Sequence, residues 1–183
     1  TAEKVFIPLT VGGGIRSVEN IRDLLKAGAD KVSINTAGIL NERLISDSSK
    51  KFGSQCIVAA VDVKKQNSNW TVYSHGGTKD TGISALNWIE KLQTLGAGEI
   101  LLTSMDKDGT KTGFDLDLLK KATNILDIPL IASGGVGNLK HFKDGVTIGG
   151  ANALLAASVF HFAEFSILEV KKYLKKENIE VRL

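Results

Sequence analysis

Residues 128–137, IPLIASGGVG, form a short apolar run that stops at a pair of glycines. A near copy, IPLTVGGGIR, stands at 7–16, so that Pro8 and Pro129 lie 121 positions apart. Aligning the two prolines pairs Leu9 with Leu130, Gly13 and Gly14 with Gly134 and Gly135, and Ile15 with Val136. The match continues through a helix-like stretch, where GAD at 28–30 falls opposite GAN at 150–152, the offset having grown by one residue. Beyond it INT (34–36) faces AAS (156–158), which pairs Thr36 with Ser158. Two consecutive strand–helix units are therefore written twice, the mark of a duplicated architecture.

The rest of the chain keeps the same rhythm. Apolar runs rich in β-branched residues, VFIPLTV (5–11), KVSI (31–34), IVAAVDV (57–63), EILLTS (99–104), IPLIAS (128–133) and NALLAAS (152–158), alternate with longer amphipathic stretches. In those stretches Val18, Ile21, Leu24 and Leu25, and again Leu86, Ile89, Leu92 and Leu95, recur with helical spacing. The strands are nearly continuous in apolar character, as expected for a parallel sheet covered by helices. One departure, NSNWTVYSHGG at 67–77, alternates like a hairpin and is expected to be an excursion after the third strand, with Trp70 used for packing. An open doubly wound sheet and a (β/α)8 barrel both accept this rhythm, and duplication selects the barrel. Such a barrel needs eight strands and about 250 residues. The expectation is thus a single incomplete barrel domain over residues 1–183, holding strands 3 to 8, with the two N-terminal β/α units missing from this chain.

Composition narrows the function. With 43% hydrophobic and 23% charged residues, the 183-residue chain can bury a sizeable core, which argues against disorder. A net charge of +3, with lysines scattered through helical segments, suggests neither nucleic-acid nor membrane binding. The one cysteine, Cys56, is read as a small buried core residue. No apolar stretch approaches the ~20 residues of a spanning helix, and the cytoplasm is the expected compartment.

In a barrel the loops after the strands form the working face. A Gly-Gly loop there lets backbone N–H groups approach an anion, and Thr36 or Ser158 adds a hydroxyl at the neighbouring strand end. Each repeat then reads as a phosphate cradle, and two cradles call for a ligand with a phosphate at each end. Asp62 closes the buried run IVAAVD, where a carboxylate has little structural reason to be, and is read as a general acid or base. The loop SMDKDGTKTGFD (104–115) places Asp108 and Gly109 near phosphate or ribose. It lacks the spaced ligands of a calcium loop, so no metal and no cofactor are expected. His75 is placed to touch substrate, while His141 and His161 read as structural.

Together LTVGGGIR, ADKVSINT, VDVK, HGG followed by TG, GAGEILLTSMDKDGTKTGFD, IASGGVGNLKHF and AASVFHF resemble the cyclase subunit of imidazole glycerol phosphate synthase, over essentially the whole chain. The resemblance implies a (β/α)8 barrel. It takes ammonia from a glutaminase partner and converts a bisphosphorylated ribulosyl-formimino aminoimidazole carboxamide ribotide to imidazole glycerol phosphate and aminoimidazole carboxamide ribotide. It implies that Asp62 is one of two catalytic aspartates, the other preceding Thr1 and so absent from this chain. It implies one phosphate site at Gly14, Asn35 and Thr36 and the other at Gly134, Gly135, Ala157 and Ser158, with Asp108 and Gly109 nearby. Lys31 and Glu99 then ring the ammonia entrance. Thr78, where the family usually carries a basic residue, leaves room for a paralogue serving a surface-sugar amidotransferase. The isomerase of the preceding pathway step shares the duplicated barrel.

Overall fold

Parallel strands form where β-branched residues can pack one face against helices, and β-strand β3 (Ile57–Gln66) shows how that face is built. Its Ile57, Ala59, Val61 and Val63 are wholly buried, whereas Ala60 and Asp62, on the other face, are partly exposed. The computed structural model describes residues 4 and 6–183. Six parallel strands run in the order β1 (Thr10–Gly12), β2 (Lys31–Ile34), β3, β6 (Glu99–Ser104), β7 (Leu130–Ser133) and β8 (Ala153–Leu155). Helices α1 (Val18–Lys26), α3 (Arg43–Phe52), α4 (Ala85–Thr94), α5 (Leu116–Thr123), α6 (Leu139–Thr147) and α8 (Ile167–Lys176) connect or follow the strands. They cover the outer face, where Val32, Ile34, Ile100, Leu102, Leu130 and Ala132 join the core. The inner face carries Ser33, Ala60, Asp62, Leu101, Thr103 and Ser133, all only half-buried. The fold is α/β, a half-barrel of the (β/α) type.

The duplication visible in the sequence reaches the hydrogen bonds. Leu9 N–H donates to the Asp30 carboxylate at 2.7 Å, and its counterpart Leu130 N–H donates to the Asn152 side-chain oxygen at 3.0 Å. Ser17 caps α1 by accepting from Asn20 N–H, and the equivalent Asn138 caps α6 by accepting from His141 N–H. The short helices α2 (Thr36–Leu40) and α7 (Ser158–His161) begin at the paired hydroxyl residues.

The expected excursion is a β-hairpin. β4 (Asn69–Ser74) pairs antiparallel with the projecting end of β3, from Asp62 opposite Tyr73 to Gln66 opposite Asn69, and with β5 (Lys79–Ser84). Trp70 is 2% exposed, and its indole N–H donates to Asp115 at 2.8 Å, the residue that also caps α5. Packing is thus joined by a bond that ties the hairpin to the loop after β6. Three expectations need correction. The first strand is Thr10–Gly12 rather than 5–11, with residue 5 outside the described residues and Phe6 and Ile7 exposed. The last strand is Ala153–Leu155 rather than 152–158, because the chain turns into α7 at Ser158. Cys56 is half-buried, since it ends a 3-10 turn (Ser54–Cys56) leading into β3 instead of lying within the strand.

Among the described residues β1 pairs only with β2 and β8 only with β7, so two ladder edges stand open. Past the β8 edge, Phe162 and Ile167 are 70% and 59% exposed. Open edges beside apolar surface template association. This 183-residue chain, expressed alone, is expected to self-associate in light scattering; a monodisperse monomer would contradict that.

Candidate functional site

The parallel register decides which side chains meet at the carboxyl ends of the strands. Asp62 on β3 lies directly opposite Thr103 on β6, and Asn35 immediately follows β2 on the other side. The Asn35 amide donates to an Asp62 carboxylate oxygen at 2.8 Å. Burial pushes the Asp62 carboxyl above its ordinary value; the Asn35 hydrogen bond and the neighbouring Thr103 hydroxyl oppose the rise, and the nearby Asp108 carboxylate adds to it. A carboxyl so raised exchanges its proton nearer neutrality than an ordinary aspartate does, which suits acid–base work.

A cavity of about 860 Å³ opens beside this group, lined by Gly12, Gly13, Gly14, Arg16, Ser33, Asn35, Thr36, Ala60, Asp62 and His75, among others. Thr36 supplies a hydroxyl already oriented: its oxygen accepts from His75 N–H at 2.8 Å, so its own proton is free to donate. With α2 only five residues long, the hydroxyl rather than a helix dipole is the polar group offered to the cavity at that point. Asn35 has a second side to it, because its amide oxygen is buried without a partner while its nitrogen serves Asp62.

The two glycine pairs share backbone geometry and differ in surroundings. Gly13, Gly14, Gly134 and Gly135 all have positive φ, at 94°, 71°, 96° and 101°. A Cβ added at Gly13 or Gly14 would meet nothing within 4 Å, so the backbone there opens to the cavity. At Gly134 it would lie 2.8 Å from the Ser104 carbonyl oxygen, and at Gly135 2.2 Å from that of Gly113. Gly135 also accepts a hydrogen bond from Gly113 N–H at 2.7 Å. The second pair is small because the β6–α5 loop packs on it.

Of the sequence-derived candidates, Gly14, Asn35, Thr36 and Asp62 are brought together in one cavity. Asp108 stands close enough to act on Asp62, while Gly109 is exposed on the same loop. Gly134, Gly135, Ala157 and Ser158 are not in that cavity's lining; Gly134 and Gly135 are buried and Ala157 is exposed. Lys31 and Glu99 form an ion pair at the opposite, amino-terminal ends of β2 and β6. Sequence reasoning missed Thr103 and Arg16. Thr103 occupies in EILLTS the place that parallel register sets beside Asp62, and Arg16 ends the GGGIR loop. Among the described residues no group of three or more His, Cys, Asp or Glu could hold a metal ion, and no helix is long and apolar enough to cross a membrane.

A half-buried carboxylate, an amide and a hydroxyl gathered above a glycine loop at the carboxyl ends of parallel strands suit an enzyme site of the (β/α)-barrel class. The chain matches the family described as histidine biosynthesis protein over residues 1–166, and it belongs to that family. It is a histidine-biosynthesis enzyme of the barrel type.

Two outcomes test this geometry. Because burial raises the Asp62 pKa, the folded state bears a cost at neutral pH that vanishes as pH falls through the carboxylate range and both states protonate. Asp62→Asn, which keeps an acceptor for Asn35, should therefore melt higher than the parent at pH 7, with the gap closing in acid. A lower melting temperature at pH 7 would mean that the hydrogen bonds outweigh burial. Gly13→Ala should lose about 1–2 kcal/mol for left-handed backbone alone, whereas Gly135→Ala should lose clearly more through overlap with the Gly113 carbonyl. Equal losses in denaturant melts would remove the distinction between the two loops.

Proposed function

We propose that the chain is the cyclase component of an imidazole glycerol phosphate synthase. The observation that carries this choice is the Lys31–Glu99 pair. It sits at the amino-terminal ends of strands whose other ends hold Asn35 and Thr103, and both side chains are partly buried, at 28% and 21% exposure. Lys31 and Glu99 share strand parity with Ser33 and Thr103, and so the inner face. A paired cation and carboxylate at the foot of that face suit an entrance for ammonia, which an isomerase does not need.

In this reading Asp62 is one proton-transfer group of a pair of aspartates. Gly14, Asn35 and Thr36 bind one phosphate; Gly134, Gly135, Ala157 and Ser158 bind the other, with Asp108 and Gly109 nearby. Asn35 has a double duty, since its nitrogen holds Asp62 in orientation while its backbone turn shapes the cradle. The packed β6–α5 loop keeps the second glycine pair rigid. A glutaminase subunit docks at the Lys31 and Glu99 end, in the cytoplasm.

The deciding assay supplies ammonium and the bisphosphorylated ribotide to a version carrying two N-terminal β/α units. Ammonia-dependent release of aminoimidazole carboxamide ribotide is expected. In that version Asp62→Asn should lower turnover by about 10³-fold, the middle of the 10²–10⁴ range for a proton-transfer group, while calorimetry still detects substrate. Ring-opening isomerisation without ammonia dependence would replace the cyclase by the isomerase, and no turnover of either kind would remove the catalytic assignment.

A further inference from the structure

His75 is the residue of the cavity that the reaction scheme leaves unused. It stands at the tip of the β4–β5 hairpin, at φ 54°, followed by Gly76 at 64° and Gly77 at 82°. Three successive left-handed residues make the turn, and only the first carries a side chain beyond hydrogen. A glycine at that first position would relieve the backbone, so a histidine there spends conformational energy. Strain of this kind collects where a side chain has work to do.

The ring is also held in place. Ser74, 3% exposed, has its hydroxyl 2.9 Å from His75 Nδ1 and 3.5 Å from the Lys79 carbonyl oxygen. The contact to Ser74 engages Nδ1 and turns the other ring nitrogen, Nε2, outward. Nε2 has no partner among the described residues. The same residue's N–H orients the Thr36 hydroxyl, and His75 lines one cavity with Gly13, Gly14 and Arg16. Cross-strand pairing explains how the hairpin reaches this point, because Tyr73, two residues earlier, lies opposite Asp62.

We propose that His75 is a ligand-binding residue whose free ring nitrogen, Nε2, hydrogen-bonds the phosphate group held at Gly13, Gly14 and Thr36. The hairpin then closes the cradle from the side away from β1, and one residue serves the phosphate twice, through its ring and through its grip on Thr36. This rests on the phosphate reading of the cavity under Proposed function.

The test titrates the 183-residue chain with inorganic phosphate and follows backbone amides and imidazole nitrogens by NMR, beside His75→Gly and His75→Asn. Both replacements tolerate left-handed backbone, so neither should melt below the parent. The expected result is that the Gly13 and Gly14 amides and the His75 ring nitrogens shift along one saturation curve, with phosphate bound at least fivefold more weakly by both variants. Shifts at Gly13 and Gly14 with a silent His75 ring and unchanged affinity in the variants would overturn the role of His75 and leave the cradle standing. No shift at either glycine would remove the cradle and the His75 assignment with it. Lower melting with unchanged phosphate affinity would make the ring a structural tether to Ser74 and equally overturn the proposal.

Discussion

A half-buried carboxylate at the end of the third parallel strand is the constraint around which the site is arranged. Asp62 stays where water is scarce because β2 and β6 flank β3 in a register that brings Asn35 and Thr103 to it, one from each side. Sliding either neighbour by one residue would turn its polar group to the helical face and take one partner from the carboxylate. The hydrophobic outer face makes that slip costly, since Val32, Ile34, Ile100 and Leu102 would leave the core with it. Core packing thereby sets the register, and the register sets the chemistry. The remaining burial raises the Asp62 pKa, which is the property a proton-transfer group needs.

Duplication built the frame, and later packing made its two halves unlike. The strand–helix junctions keep matching hydrogen bonds at Leu9 and Leu130 and matching caps at Ser17 and Asn138. The glycine loops that follow keep the same left-handed backbone, yet one opens to a cavity and the other is filled by the loop after β6. A hairpin inserted after β3 adds a third contribution that has no counterpart in the repeat. It brings Ser74, His75 and Trp70, of which Trp70 is anchored to Asp115 and His75 to Thr36.

Much of this was legible in the chain because it depends on local pattern. Apolar runs ending at Gly13–Gly14 and Gly134–Gly135 placed two strand ends, and an aspartate closing IVAAVD marked itself by being charged in an apolar context. Strand limits were less legible: Phe6 and Ile7 are apolar yet exposed, since β1 is an edge strand with little to pack them against. Thr103 was invisible because its importance comes from register across strands 41 positions apart, which hydropathy does not encode. The difference between the glycine pairs was hidden for a related reason. Two identical dipeptides look alike until the loop that packs on one of them is in place.

The most direct measurement is the titration of the Asp62 carboxyl carbon by NMR in the folded chain, assigned through Asp62→Asn. A midpoint above the ordinary aspartate value, moving further up when Asn35→Ala removes the donor, is the expected result. A midpoint at or below the ordinary value would contradict the claim that burial tunes this group, and an unchanged midpoint in Asn35→Ala would contradict the claim that Asn35 holds it.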